Sequence, residues 1–247
     1  MSKLADIIKR AAGVQVAPIG FGAATKKATP SLALLAVVDE RWAQRIGETA
    51  EADAFLLSGR PNDSDLAQAV AAASNKPCGL IAPQADAELL ERAAKAGLDF
   101  LVVDTDAPAR IIQDEKLSFV LHVRSDLSDM QLRAIEALPV DGIYYDRDTS
   151  PLTVLRQMEL VRVSGLARKA LVVAAGKDAQ QSDLVALRDS GVVLVALDAR
   201  QAGEASRLRP LIDTLPRRRK QKQDDSASAL VPRVAADGAE DEGEDDD

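Results

Sequence analysis

The sequence is poor in the residues that most often mark a reactive centre. Of its 247 residues one is cysteine and one is histidine, and aromatic residues make up 3%. The lone Cys78 excludes an internal disulfide and agrees with a reducing compartment. One histidine and one cysteine also argue against zinc, which is usually held by several such ligands. Because aromatic residues are scarce, any buried core must be aliphatic.

Long uncharged apolar runs are missing as well. No segment approaches the roughly 20 residues that a membrane-spanning helix needs. The first predicted helix contains Lys3, Asp6, Lys9 and Arg10, without an apolar run or a cleavage site, so no signal peptide is predicted. We therefore expect a soluble cytoplasmic protein with no membrane partner.

Charge is concentrated at the carboxyl terminus. Residues 217–247 contain six lysines or arginines and ten acidic residues, a net of −4, which is half of the chain's −8. A basic run at 217–222 and an acidic run at 240–247 predict a disordered tail, which either solubilises the protein or docks a protein partner. The nearly balanced remainder gives no reason to expect a nucleic-acid partner.

Apolar runs recur at intervals of about 20–29 residues from Leu32 onward. Each is followed by a segment with helical period or helix-start residues, which is typical of strand–helix units with parallel strands. Eight strands are predicted: Leu32–Val38, Ala54–Leu57, Cys78–Ala82, Phe100–Val103, Phe119–Val123, Gly142–Tyr145, Ala170–Ala174 and Val192–Leu197. Eight helices are predicted after them: Glu40–Ala52, Asp63–Ser74, Ala85–Ala96, Ala107–Lys116, Asp126–Leu138, Pro151–Ala167, Gln181–Asp189 and Ala202–Leu215.

Eight consecutive units predict a closed (β/α)₈ barrel over residues 32–216, preceded by a helix-and-strand extension at 1–31 and followed by the tail at 217–247. An open doubly wound sheet is the alternative. The segments LDFLVVD, VDGIYYD and SGVVLVALD are the clearest strands. In their number and spacing the units resemble the compact aldolase-type (β/α)₈ barrels. The resemblance implies a lyase or isomerase that acts on a small anionic metabolite.

Acidic side chains follow four of the eight predicted strands, where barrel enzymes place their active face. They are Asp39, Asp104, Asp146 and Asp198. One interpretation is a site for Mg²⁺ or Mn²⁺, which prefer oxygen ligands, with Asp39 and Asp198 as metal ligands. Another is that these carboxylates cap the helices that follow them.

A third interpretation is general acid and base catalysis beside a carbonyl group. Asp104, His122 and Asp146 are the candidate catalytic residues. Strand alternation places His122 on the same face as Val120, so a structural role fits this histidine as well. Lys177, just beyond the seventh strand, is the candidate for a Schiff base, since no lysine lies within a predicted strand. The arginines predicted to hold an anionic substrate are Arg60, Arg124 and Arg200.

Phosphate-binding glycines are incomplete after the last two strands: Gly176 follows the seventh, and none follows the eighth before Gly203. Phosphate binding by the usual route is therefore not expected. The absence of that signature, and the single histidine, leave a second hypothesis for the whole protein. It is a barrel without catalysis that serves as a binding or scaffold protein through its charged tail.

Overall fold

The computed structural model of the protein describes residues 2–13, 31–145, 151–201 and 203–216. Eight strands alternate with helices along this part of the chain. The strands are β1 (Ala33–Val38), β2 (Ala54–Leu57), β3 (Cys78–Ile81), β4 (Phe100–Asp104), β5 (Ser118–Val123), β6 (Gly142–Tyr145), β7 (Ala170–Ala174) and β8 (Val192–Asp198). The helices are α1 (Lys3–Ala11), α2 (Trp42–Glu48), α3 (Asp63–Ala72), α4 (Ala87–Ala96), α5 (Asp129–Ile135), α6 (Val154–Ala167), α7 (Gln181–Asp189) and α8 (Glu204–Asp213).

The strands form a closed parallel barrel. Each strand pairs with the next in sequence, and β8 returns to pair with β1 through Val37 and Asp198, among other residues. The predicted (β/α)₈ barrel is confirmed, and the open sheet is excluded because its two edges would remain unpaired. Three strands, β2, β6 and β7, have the bounds predicted from their apolar runs.

Two apolar layers hold the barrel together. Alternate strand residues such as Leu35, Leu56 and Val102 fill its interior, and the intervening ones pack outward against the helices. The interior is crowded near Gly79, where an added Cβ would overlap the ring of Phe100. Glycine at position 79 therefore makes room for one of the few aromatic rings of the core.

Helix α1 covers the amino-terminal end of the barrel. Its Leu4 and Ile7 are buried in the same cluster as the interior strand residues. The predicted cap Ser2 accepts hydrogen bonds from the first turn, and Asp99 at the start of β4 accepts three more, from Ser2 Oγ and from the Lys3 and Leu4 amides. Because side chains fill this end, it is closed to a ligand that would reach the barrel axis.

The connection between β4 and β5 differs from the prediction. The segment Ala107–Lys116 was predicted to be a helix, but it contains only a 3₁₀ turn at Ile111–Gln113. In that turn Ile111 is buried and Ile112 is partly buried against the core, whereas the residues that follow, Gln113 to Lys116, are all polar. Without apolar residues one turn further on, a helix here would have no face to pack on the barrel.

Two other predictions concern the start of α6 and the carboxyl-terminal tail. Pro151 was predicted to be the first residue of α6, but that helix begins at Val154 with Thr153 as its cap, since the Thr153 side chain accepts from the Arg156 amide. The predicted tail, 217–247, lies outside the described residues. In the part of the chain that the structure describes, no helix is long and apolar enough to cross a membrane.

Candidate active site at the carboxyl end of the barrel

Asp104 and His122 form a hydrogen-bonded pair at the carboxyl end of the barrel. They are direct partners in the register of β4 and β5, and both lie on the inward face, as alternation with Val102 and Val120 requires. Asp104 Oδ1 is 2.9 Å from His122 Nδ1, and the two side chains are about four-fifths buried, with 20% and 21% exposed. A carboxylate accepts from an N–H, so this contact favours the tautomer that is protonated on Nδ1.

Arg124 lies beside the same carboxylate. Its Nη2 is 3.9 Å from Asp104 Oδ2, and its side chain is 66% exposed. At this distance and exposure the attraction is screened by solvent and worth little to stability. Its charge nevertheless lies next to the Asp104–His122 pair, and its predicted role in holding an anionic substrate stays a prediction.

Tyr144 continues the row on β6. It is the register partner of His122, and the two rings meet edge to face with centroids 5.8 Å apart. Its neighbour Tyr145 points to the helices, where its hydroxyl donates to Glu159. Burial, followed by that hydrogen bond, raises the pKa of Tyr145, which is therefore a structural phenol. Only Tyr144 faces the mouth of the barrel.

Arg200 joins two carboxylates on the opposite side of the mouth. Its guanidinium is 2.7 Å from Asp198 Oδ2 and 3.2 Å from Asp39 Oδ2, and its amide donates to Asp198 Oδ1. The hydrogen bonds from the Arg200 side chain hold the pKa of Asp198 below its usual value, and the two carboxylates raise the pKa of Arg200. The two carboxylates therefore already share one cation.

A cavity of about 280 Å³ opens between these groups. Its polar lining includes Asp39, Ser58, Tyr144, Lys177, Asp198, Arg200 and Glu204. Tyr144 is the residue that connects the cavity to the Asp104–His122 pair, since its ring contacts His122 and also lines the cavity. The volume suits a small metabolite rather than a cofactor of dinucleotide size.

Lys177 differs from the other charged residues of the cavity. Among the described residues its ammonium has no acidic side chain within ion-pair distance, whereas Arg200 has two. The loop that carries it is fixed through the backbone, because Arg207 donates to the carbonyl oxygens of Lys177 and Ala179. Lys177 is thus a cation held at the edge of the cavity and available to an anion.

The structure does not bring all the predicted site residues together. Asp104, His122 and Arg124 form one group, and Asp39, Asp198, Arg200 and Lys177 lie at the cavity. Arg60 follows β2 on an exposed loop and does not line the cavity. Asp146 lies outside the described residues, so its predicted catalytic role stays a prediction.

Helix capping does not explain the three acids at strand ends that the structure describes. The residue before α2 is Arg41, the residue before α8 is Gly203, and the 3₁₀ turn after β4 begins after Arg110. Asp39, Asp104 and Asp198 therefore cap none of these elements, and the capping interpretation is wrong for all three. They bind side-chain cations or the histidine instead.

No group of three or more His, Cys, Asp or Glu side chains within the described ranges is arranged to hold a metal ion. Asp39 and Asp198, the predicted ligands, are both bound to Arg200, which supplies the positive charge that a cation would bring. A divalent ion would have to displace that guanidinium. The prediction of Mg²⁺ or Mn²⁺ stays untested, because Asp146 belongs to the same predicted set.

Sequence reasoning missed Glu204 and Gln201, which also line the cavity. Both lie between β8 and the first turn of α8, on the loops that form the active face in barrels. Their place on such a loop is a signal that the sequence alone provides. A larger cavity, about 390 Å³, lies at the other end of the barrel against α1 and is lined by Lys3, Asp6 and Arg10. It is remote from the residues just described.

Comparisons with known proteins agree on the fold. No protein-family model matches the sequence, and no curated protein matches it either. Among solved structures, a tryptophan synthase alpha-subunit from Pyrococcus furiosus has 15% identity and a TM-score of 0.57, over 74% of this chain and 97% of that one. An HpcH/HpaI aldolase from Desulfitobacterium hafniense has 11% identity and a TM-score of 0.54, over 75% and 94%.

A protein from Aquifex aeolicus gives a longer match, with 13% identity and a TM-score of 0.58 over 87% of this chain and 98% of that one. At such identities the likeness concerns the fold. The chain shares the (β/α)₈ barrel fold of these proteins. The sequence resemblance to these barrels is thereby confirmed, and the reaction has to be argued from this chain's own residues.

Proposed function

We propose that the protein is a lyase or isomerase that acts on a small anionic metabolite at the carboxyl end of the barrel. Lys177 binds the anionic group, Arg200 supports it, and the Asp104–His122 pair moves a proton. The observation that carries this proposal is the hydrogen-bonded Asp104–His122 pair beside a cavity that holds an uncompensated lysine.

The charges at the cavity support an anionic ligand. Arg200 is neutralised by Asp39 and Asp198, and Glu204 is held by Arg207 at 3.0 Å. The Lys177 ammonium is left as the cation that a carboxylate or phosphate group would pair with. Lys177 is exposed at the edge of the cavity, so water partly screens this pair, and the charge-assisted hydrogen bond would contribute orientation as well as attraction.

The Asp104–His122 pair supports proton transfer. In an isomerase a base removes a proton from the carbon atom beside a carbonyl group, and the electron pair of the C–H bond moves toward the carbonyl oxygen to form an enolate. In an aldol-cleaving lyase the base removes the proton of the β-hydroxyl group, the bond between the α- and β-carbon atoms breaks, and its electron pair forms the same kind of enolate while the β-carbon leaves as a carbonyl compound. His122 would accept the proton on Nε2, and Asp104 would stabilise the resulting imidazolium through Nδ1. The imidazolium then returns the proton to the adjacent carbon of the enediolate in an isomerase, or to the α-carbon of the released enolate in a lyase.

The fold is compatible with such chemistry, since one structural neighbour is named an aldolase. Lys177 could alternatively form a Schiff base with a carbonyl substrate, as the sequence suggested. Borohydride reduction distinguishes the two roles, because it would leave a stable adduct on Lys177 only if an imine forms. The proposal of charge pairing expects no adduct.

Thermal-shift screening of the full chain against small carboxylated and phosphorylated metabolites tests the proposal. A ligand that binds only the folded protein raises the melting temperature. Lys177→Gln should abolish the shift, whereas Lys95→Gln, which removes the same charge from an exposed position on α4, should retain it. Equal shifts in the two variants would contradict the proposed role of Lys177.

Catalysis is then tested with the ligand that the screen identifies. Incubation in D₂O, followed by NMR of the ligand, detects exchange of a carbon-bound proton in either reaction class. The wild type should incorporate deuterium. If the ligand binds through Lys177 but none of its carbon-bound protons exchanges, the protein is a binding protein and the proposed enzymatic activity is contradicted.

A further inference from the structure

The outer surface of α5 and α6 is apolar. Five large side chains there are at least half exposed: Met130 (82%), Val154 (75%), Leu155 (73%), Met158 (63%) and Val161 (52%). The one other large apolar side chain that is exposed among the described residues is Leu138, in the turn after α5. The remaining described helices keep their large apolar side chains covered, so exposure is confined to one side of the barrel.

Helix α6 has two apolar faces. Leu160, Val163 and Ala167 are buried against the barrel. On the outward side Val154, Met158 and Val161 recur at intervals of four and three, which places them in one stripe along the helix. A helix that is apolar on both sides is normally covered on both sides.

Gly165 extends the same stripe by one turn. It is exposed, and no atom lies within 4 Å of the position that its Cβ would occupy. Glycine inside a helix lowers helix stability by about 1 kcal/mol relative to alanine. The bare backbone it leaves allows another helix to approach closely.

The charges around the stripe are compensated within the chain. Arg162 binds Asp129 across α5 and α6, Arg156 binds Glu159, and Arg168 binds Glu136. The rim therefore carries cations and anions in pairs. Such a surface does not repel a copy of itself, and it offers no field of one sign to a nucleic acid, an anionic lipid surface or a charged tail.

We propose that this face binds a second copy of the chain, with α6 packed antiparallel to α6 of the partner across a two-fold axis near Met158. The axis places Met158 against its own copy and Leu155 of one chain opposite Val161 of the other, while Gly165 lies opposite Pro151, just before α6 of the partner begins. An isologous contact of this kind needs a self-complementary patch, which the paired charges and the central methionine provide.

The exposed area agrees with a reversible dimer. Five side chains that each expose roughly 100 Å² give, over two copies, on the order of 1,000 Å² of apolar contact. That is near the lower limit for a specific interface. The expected affinity is therefore micromolar, and the dimer should dissociate on dilution.

Sedimentation of the full chain from about 1 to about 100 µM tests the proposal in the concentration range where a micromolar dimer forms. The wild type should pass from monomer to dimer. Met158→Glu should remain monomeric, because two charges would meet at the axis, and Ala71→Glu on α3 should dimerise like the wild type. A monomeric wild type at the highest concentration, or a Met158→Glu variant that still dimerises, would overturn it.

Cross-linking tests the two-fold axis separately. Met158→Cys places a thiol opposite its own copy, so a short bismaleimide should link two chains more efficiently than it links the matched Ala71→Cys variant. Cys78 is buried and should stay unreactive. Equal cross-linking of the two variants would contradict this geometry.

Discussion

The two ends of the barrel use the same residue type for different purposes. At the amino-terminal end Asp99 accepts hydrogen bonds from two amides and the hydroxyl of α1, and Asp53 accepts from the Leu34 amide. At the carboxyl end Asp104 binds His122, and Asp198 binds the Arg200 guanidinium. The aspartates at the first end bind backbone amides of α1 and β1, and Asp53 binds the Arg209 guanidinium as well. Those at the second end hold side chains that can exchange protons or bind ions.

The two ends also differ in the residues that line the space at each end. At the amino-terminal end Leu4 and Ile7 pack with interior strand residues, and the cavity of about 390 Å³ there is lined mainly by α1 and by residues that precede the strands. At the other end the cavity of about 280 Å³ is lined by interior strand residues such as Tyr144 and Ala196. A barrel interior is a packed core rather than a pore, so one end can be sealed without affecting the other. Changes at the amino-terminal end should therefore alter stability and leave activity intact, whereas changes at the carboxyl end should act mainly on activity and less on stability.

The largest difference is expected from matched substitutions of Asp104 and Asp99. Asp104→Asn should slow deuterium exchange into the bound ligand by about 10² to 10⁴-fold, the range for loss of acid–base catalysis. Asp99→Asn should leave the rate unchanged. The comparison fails if both substitutions slow exchange to the same extent.

Crowding at Gly79 gives the next largest effect, this time on stability. Gly79→Ala should lower the free energy of unfolding by about 2–3 kcal/mol, because its methyl group would overlap the fully buried Phe100 ring. Gly47→Ala in α2, where a Cβ meets nothing within 4 Å, is the control and should not destabilise. Urea denaturation measures the free energy of unfolding of both variants. If Gly79→Ala were as stable as Gly47→Ala, the interior would tolerate the extra methyl group.

Removing the carboxylate that anchors α1 should have a smaller effect. Asp99→Ala leaves the Lys3 and Leu4 amides without this acceptor and should lower the free energy of unfolding by about 1–2 kcal/mol. The α1 amide protons should also exchange with solvent faster in this variant than in the wild type. An unchanged exchange rate would mean that Leu4 and Ile7 alone hold the helix in place.

The smallest effect concerns Arg200 and pH. Arg200 lowers the pKa of Asp198, so the folded-state value lies below the unfolded one. Its contribution to stability is therefore present above the unfolded pKa of about 3.9 and is lost as pH falls through the folded value. Arg200→Gln should thus be less stable than the wild type at neutral pH, and the difference should narrow in acid. Denaturation curves at several pH values measure the difference in the free energy of unfolding between the two proteins. A difference that does not change with pH would contradict the proposed effect of Arg200 on the Asp198 carboxylate.

The sequence predicted the barrel well because its strands are short apolar runs bounded by polar residues. The runs at Ala54–Leu57, Gly142–Tyr145 and Ala170–Ala174 needed no tertiary information to be located. The missing helix at Ala107–Lys116 shows where such reasoning fails. Its residues have adequate helix propensity, but propensity without a second apolar turn does not anchor a helix on a barrel.

The candidate site was predicted only in part. Alternation put His122 on the face of Val120, but the strand register was needed to place Asp104 directly beside it. Arg200 was predicted as a substrate-binding residue, and its bonds to both Asp39 and Asp198 depend on the closure of β1 onto β8. Such contacts join distant parts of the chain, and no local pattern reports them.

The single histidine makes one measurement especially direct. His122 gives the only imidazole signals in the NMR spectrum of this chain, so its ring protons can be followed without assignment. Titration with a metabolite that raises the melting temperature should shift these signals in the wild type, because Tyr144 contacts both His122 and the cavity. Lys177→Gln should abolish the shift. Saturating ligand with unchanged His122 signals would contradict an active site that unites the cavity with the Asp104–His122 pair.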